Sequence, residues 1–73
     1  MAKTPILSGK TVIQVLERLG FLIMRQRESH VILRRGSSGC VVPLHQQLKT
    51  GTLSGILKQA GVSRREFEDA MNL

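Results

Sequence analysis

The fold is decided by residues 21–44, which read FLIMRQRESHVILRRGSSGCVVPL. This stretch contains three short, largely apolar segments, at Phe21–Arg25, His30–Arg35 and Cys40–Leu44, and a Gly-Ser-Ser-Gly turn separates the last two. Segments of this length, divided by turn residues, are typical of strands joined by hairpins. The sequence therefore predicts a three-stranded antiparallel meander, in which Pro43 either ends the third strand or lies at a sheet edge.

Apolar residues repeat at helical spacing on both sides of these strands. They are Val12, Val15, Leu16 and Leu19 before the strands, and Leu53, Ile56, Leu57 and Ala60 after them. This i, i+3, i+4, i+7 spacing predicts two helices, each with one buried stripe. Ser8 is the expected N-cap of the first helix, and Gly20 and Gly61 are expected to end the two helices.

A third, short helix is predicted near the C-terminal end of the chain. Ser63-Arg64-Arg65-Glu66 matches a capping box, in which the hydroxyl and the carboxylate each accept from a backbone N–H group. Phe67 and Met71 are the expected buried side chains of this helix. The predicted fold class is α+β, with the order α-β-β-β-α and a terminal helical turn. Both main helices are expected on one face of the sheet, leaving the other face open, in a single domain over residues 1–73.

The charge balance indicates a polyanionic partner. The chain has 11 Lys and Arg against five Asp and Glu, a net charge of +6, and a pI of 10.9. Nucleic acid is the first expectation, an anionic membrane the second and an acidic protein surface the third. There is no Trp or Tyr, and Phe21 and Phe67 both fall at apolar periodic positions. Base stacking on aromatic side chains is therefore not expected, and phosphate contacts should dominate nucleic-acid binding.

The remaining composition indicates a protein that stays in the cytoplasm. No apolar run approaches the ~20 residues of a membrane span, and no apolar segment of a secretory signal follows residues 1–4. The lone Cys40 excludes an internal disulfide and is interpreted as a small side chain packed within a strand. The two histidines and one cysteine have no zinc-ligand spacing, and the five carboxylates are scattered, so no metal site is predicted.

The candidate site centres on His30. Arg25, Arg27, Arg34 and Arg35 surround it in sequence, and arginine offers forked donors that suit phosphate oxygens. Histidine exchanges protons near neutral pH. His30 is therefore the candidate acid–base group, with Arg25, Arg27 and Arg34 as candidate stabilisers of phosphoryl charge. The alternative is that His30 is a surface strand residue with no role.

A second group of candidates follows the last strand. His45 is either a further proton-transfer or phosphate-contacting group, or a hydrogen-bonded turn residue. Thr50-Gly51-Thr52 precedes the second helix, whose free N–H groups can hold a phosphate. The alternative there is ordinary N-capping by Thr50 or Thr52. Arg64 and Arg65 are expected on a solvated face.

Several motifs make the chain resemble the HicA (YcfA-like) family of toxins. They are Ser8-Gly9-Lys10, Leu19-Gly20-Phe21, Arg25-Gln26, Ser29-His30, Val42-Pro43-Leu44-His45, Leu48-Lys49-Thr50-Gly51-Thr52-Leu53 and Ile56-Leu57-Lys58-Gln59-Ala60-Gly61. The resemblance implies a double-stranded-RNA-binding-domain-like fold and an mRNA interferase that needs no cofactor. It also implies neutralisation by a HicB-like antitoxin. The family's catalytic histidine lies in a Gly-Ser-His signature, which corresponds to Glu28-Ser29-His30.

The glutamate in that signature is a departure, because the family usually has glycine there. Glu28 either weakens RNA binding, pairs harmlessly with Arg25 or Arg27, or acts as an acid or base itself. The predicted site comprises catalytic His30 and the RNA-contacting residues Arg25, Arg27, Ser29, Arg34, His45, Lys49, Thr50 and Lys58. Two rival functions are a noncatalytic RNA-binding module and a protein that docks onto an acidic partner.

Overall fold

The computed structural model describes residues 7–72 of the chain, and the order of its elements is α-β-β-β-α-α. The elements are α1 (Gly9–Arg18), β1 (Leu22–Arg27), β2 (His30–Arg35), β3 (Ser38–Pro43), α2 (Thr50–Ala60) and α3 (Arg64–Met71). The predicted α+β class and the double-stranded-RNA-binding-domain-like order are confirmed. The terminal helical turn is a full third helix.

The sheet is an antiparallel meander with the strand order β1-β2-β3. Two-residue loops join the strands, since Arg27 pairs with His30 and Arg35 pairs with Ser38. The second turn is shorter than the predicted Gly-Ser-Ser-Gly, because Gly36 adopts a φ of 61° and closes the loop within two residues. β3 therefore begins at Ser38 and ends at Pro43, and it is one of the two edge strands.

Local capping interactions begin and end the helices. The Ser8 hydroxyl accepts from the Thr11 N–H at 3.1 Å at the start of α1. The Ser63 hydroxyl accepts from the Glu66 N–H at 3.0 Å at the start of α3, which confirms that half of the capping box. Gly61 ends α2 with a φ of 70°, the left-handed conformation that glycine adopts without strain.

The expected cap of α2 by Thr50 or Thr52 is wrong. The N-cap residue is Lys49, whose extended backbone has φ −66° and ψ 152°, and no side chain caps the helix there. An N-cap hydroxyl must come from a residue with extended backbone just outside the helix. Both threonines already lie within the first helical turn, so their hydroxyls cannot fill that role.

The helices cover one face of the sheet, as predicted, and the core lies between the two layers. Alternate strand residues Val31, Leu33, Cys40 and Val42 are buried with the apolar stripes of the helices. No residue of β1 is buried, because α2 packs mainly on β3 and β1 lies at the far edge of the sheet. Burial of Cys40 raises the pKa of its thiol, so Cys40 stays protonated and acts as a packing residue. Over residues 7–72, no helix is long and apolar enough to cross a membrane.

Candidate nucleic-acid interface

His30 lies on the open face of the sheet. It is the first residue of β2 and is exposed, whereas its neighbours Val31 and Leu33 point into the core. Because successive strand side chains alternate between faces, His30, Ile32 and Arg34 share the face that the helices leave uncovered. The imidazole is therefore accessible to a ligand as large as RNA.

The strand register brings Arg25 and Arg27 onto this same face. Arg27 is the direct cross-strand partner of His30, and Arg25 is the partner of Ile32. Directly opposed side chains of an antiparallel pair lie on one face with their Cβ atoms about 5 Å apart. Arg34 lies four residues further along β2, about 13 Å from His30. One imidazole and three guanidinium groups thus form a row, which we call the cationic face (Arg25, Arg27, His30, Arg34).

Arg35 does not belong to the cationic face, although it is adjacent to Arg34 in sequence. Its Nη1 donates to the Leu19 carbonyl oxygen at 3.0 Å, and its guanidinium carbon lies 4.7 Å from the centre of the Phe21 ring. The same Nη1 is 3.6 Å from Oε2 of Glu66. Arg35 therefore ties β2 to the end of α1 and to α3, on the helix-covered face.

Two backbone hydrogen bonds bring distant segments to the corner that holds His30. The Leu44 N–H donates to the Ser29 carbonyl oxygen at 2.6 Å, and the Gly9 N–H donates to the His45 carbonyl oxygen at 2.9 Å. The hairpin loop before His30, the residues after β3 and the first turn of α1 therefore meet. Ser29, which precedes His30, and His45, which lies two residues after its cross-strand partner Pro43, are both exposed at this corner.

Gly9 is the residue of this corner whose importance sequence reasoning missed. A Cβ atom at Gly9 would overlap the carbonyl oxygen of Pro43 and lie 3.0 Å from its carbonyl carbon and 3.1 Å from Cα of Leu44. Only glycine allows α1 to begin so close to the end of β3. The glycine between Ser8 and Lys10 is the available sequence signal, but its contact partner lies more than 30 positions away.

The lysine and threonine candidates lie on the helical layer. Lys49 and Thr50 are exposed at the start of α2. Lys58 lines a separate groove of about 200 Å³ between α2 and α3, together with Ser54 and Arg64. Because α2 packs on the face of the sheet opposite His30, Lys58 is not brought together with the cationic face. The RNA contact of these residues stays a prediction.

A shallow groove lies beside Arg34 and reaches the turn between β2 and β3. It has a volume of about 450 Å³, and its lining includes Met24, Ile32, Arg34, Gly39 and Val41. Gly39 is the cross-strand partner of Arg34 and adds no side chain to the groove. The groove offers a ligand a largely apolar floor with the guanidinium group of Arg34 at its side.

Glu28 occupies a backbone conformation that suits glycine. Its φ is 53° at the first position of the loop between β1 and β2, where two-residue hairpins with a single positive φ favour glycine. This conformation accounts for the glycine that the Gly-Ser-His signature has at the position of Glu28. In the part of the chain that the structure describes, Glu28 forms no ion pair with Arg25 or Arg27, so that interpretation is wrong.

Replacing Glu28 with glycine is expected to stabilise the fold by about 0.5–1 kcal/mol. The left-handed conformation costs a residue with a Cβ about 1–2 kcal/mol, and glycine avoids this cost. The greater backbone entropy of glycine in the unfolded chain offsets part of that stabilisation. Urea unfolding of both proteins measures the difference. Glu28→Ala is the control, since it removes the carboxylate but keeps the Cβ. An equal gain from alanine would assign the effect to charge instead of φ.

Comparison with known families shows which family the chain matches. The family model described as the HicA toxin of bacterial toxin–antitoxin systems matches residues 9–62, about three quarters of the chain. The matched region runs from the first residue of α1 to just beyond the end of α2, so it includes the whole sheet and the corner around His30. No curated protein matches the chain.

Proposed function

Because this chain belongs to the HicA toxin family of bacterial toxin–antitoxin systems, we propose that it is a cytoplasmic mRNA interferase. In this proposal it cleaves RNA by metal-independent acid–base chemistry and is neutralised by a HicB-like antitoxin. The observation that carries the proposal is the cationic face. It holds an exposed histidine directly opposite Arg27, with Arg25 and Arg34 on the same side of the sheet.

The proposed reaction uses the RNA's own 2′-hydroxyl as the nucleophile. The 2′-oxygen attacks the adjacent phosphorus, its proton passes to a base, and the bond from phosphorus to the 5′-oxygen breaks as that oxygen takes up a proton. The products are a 2′,3′-cyclic phosphate and a 5′-hydroxyl. His30 is the group assigned to proton transfer, which contributes about 10²–10⁴-fold to a rate. Exposed His45 is the candidate for the second proton, because its segment is joined to the corner of His30.

The arginines are assigned to the phosphoryl oxygens. Negative charge builds on these oxygens during attack, and fixed donors aimed at that charge lower the barrier. Arg27 lies opposite His30 and is the arginine best situated to meet the reacting phosphate. Arg25 and Arg34 lie further along the face and suit the neighbouring phosphates of an extended strand.

The test is cleavage of a defined single-stranded RNA by the purified chain in the presence of a chelator. We expect fragments that end in 2′,3′-cyclic phosphate, which mass spectrometry distinguishes from the 3′-hydroxyl ends left by hydrolysis at the other oxygen. A matched RNA with a 2′-deoxy substitution at the cleaved position is the control and should stay intact there. Tight binding of intact RNA with no cleavage would instead support the noncatalytic RNA-binding module.

Salt dependence provides a separate test of the cationic face. If Arg25, Arg27 and Arg34 each neutralise one phosphate, the slope of log affinity against log salt should be about −2, since single strands give about −0.7 per contact. Replacing Arg34 with glutamine should make the slope shallower by about 0.7. The control is Arg65→Gln, which removes an exposed arginine of α3 and should leave the slope unchanged. A flat plot for the wild-type chain would favour docking to a protein.

A further inference from the structure

An apolar patch lies exposed at the edge of the sheet. Leu22, Ile23 and Met24 are 68%, 49% and 57% exposed, and we call these three residues the edge patch. None of them belongs to the hydrophobic core, so folding alone does not explain three consecutive large apolar side chains at this position. Leu22 pairs with Arg34 and lies on the open face, where Met24 lines a groove with Ile32 and Arg34, whereas Ile23 pairs with the buried Leu33 and lies on the other side of the edge. Exposed apolar side chains on both sides of an edge strand indicate an interaction site.

The edge patch lies on the strand edge that the fold leaves open. The opposite edge strand, β3, ends at Pro43, which has no N–H to offer, and α1 begins against the carbonyl of that residue. β1 is the other outer strand of the sheet, and all of its residues are exposed. The β1 edge is therefore more accessible to a binding partner than the β3 edge.

The backbone of β1 favours docking through side chains over the addition of a strand. The pairing register shifts between Ile23 and Arg25, so Met24 is the extra residue of a bulge. A bulge interrupts the regular spacing of hydrogen-bonding groups and is one of the devices that prevent strand addition at an edge. The side chains of the edge patch are what remains for a partner to bind.

Charge around the edge patch determines what kind of partner fits. Arg25 and Arg27 follow it directly on β1, and Arg34 is the cross-strand partner of Leu22. A second copy of this chain would bring its own net charge of +6 and its own arginines to the contact, which like-charge repulsion disfavours. The surface instead fits an apolar contact bordered by carboxylates.

We propose that the edge patch is the anchoring site of the antitoxin. In this arrangement the antitoxin encloses the edge of β1, so that its apolar side chains pack on Leu22 and Met24 from the open face and on Ile23 from the other side. Antitoxin carboxylates pair with Arg25 and Arg34. The proposal rests on one part of the proposed function, the neutralisation of this chain by an antitoxin, and does not depend on RNA cleavage. Leu22 lies level with Arg34, about 13 Å along the sheet from His30, so antitoxin affinity and catalysis are separable by substitution.

The antitoxin is identified as the partner protein whose co-expression suppresses the growth arrest caused by this chain. The experiment then measures the affinity of the purified antitoxin for variants of the edge patch. Leu22→Thr/Ile23→Thr should lose about 50–100-fold in affinity, because two large apolar side chains no longer pack on the partner. Leu22→Met/Ile23→Val is the matched control and should bind like the wild-type chain. All three proteins should cleave RNA equally without antitoxin, and circular dichroism should give the same fold for each.

A charge pair tests the acidic border of the partner. Leu22→Glu should weaken antitoxin binding more than Leu22→Lys, since a carboxylate at this position repels the carboxylates proposed to meet Arg34. Equal losses, or wild-type affinity in the double threonine variant, would overturn the proposal. So would a wild-type dimer in analytical ultracentrifugation that the threonine variant abolishes. If the wild-type chain fails to cleave RNA, the proposed catalysis fails while this binding test still decides the anchoring site.

Discussion

Replacing His30 with alanine is expected to lower the rate of RNA cleavage by about 10²–10⁴-fold, the usual contribution of a positioned acid–base group. RNA affinity should stay close to that of the wild-type chain, because the arginines of the cationic face are unchanged and phosphate contacts dominate binding. The fold should also be unaffected, since His30 is exposed and is not part of the hydrophobic core. Single-turnover cleavage of a defined RNA, together with a separate binding titration, measures the two effects.

Two further variants test whether the loss of activity is due to the loss of proton transfer. His30→Gln keeps a polar side chain of similar size but cannot exchange a proton near neutral pH, so it should be as inactive as the alanine variant. His45→Ala tests the second candidate for proton transfer. If His30→Gln cleaves RNA at the wild-type rate, His30 is not the acid–base group.

Replacing Gly9 with alanine is expected to destabilise the fold by about 3 kcal/mol or more, at the upper end of the usual cost of overpacking. A Cβ at this position overlaps the Pro43 carbonyl oxygen, and the atoms it meets belong to backbone, which cannot rotate away as a side chain can. Relief requires α1 to move away from the end of β3, which breaks the hydrogen bond from Gly9 to the His45 carbonyl. A domain of this size has little stability to lose.

Urea unfolding of Gly9→Ala measures that loss, and Gly55→Ala is the matched control. Gly55 lies within α2 and has nothing within 4 Å of an added Cβ, so alanine there should stabilise the helix by about 0.5–1 kcal/mol. Both variants add one methyl group to a helical glycine, and only their surroundings differ. Equal stability of the two variants would mean that α1 and β3 are not held in the close contact described above.

Much of this fold could be predicted from short stretches of sequence. The stripe that includes Val12 and Leu16 and the serine caps at Ser8 and Ser63 depend on residues no more than about two helical turns apart. The strands follow equally local signals of apolar runs and turns. The weaker local predictions concern boundaries, such as the N-cap of α2, which is Lys49 and not a threonine.

The candidate site was predictable only in its residue types. The sequence proposed His30 with Arg25, Arg27 and Arg34 and did not assign Arg35 to the site, but the physical reason for separating Arg34 from Arg35 comes from the strand register. Since side chains alternate between faces, one position separates an arginine on the cationic face from one that holds α1 and α3 to the sheet. Lys58 likewise follows the site residues in sequence yet lies on the helical layer.

The sequence alone determined the α+β class, the order of the elements and the positive charge, because periodicity, capping and charge count are properties of neighbouring residues or of composition. Tertiary structure alone decided that Gly9 must be glycine, that Arg35 is structural and that Leu22–Met24 is left exposed at an edge. Each of these depends on which residue distant in the chain lies opposite, and that is set by the pairing of strands and by how far the helices reach across the sheet.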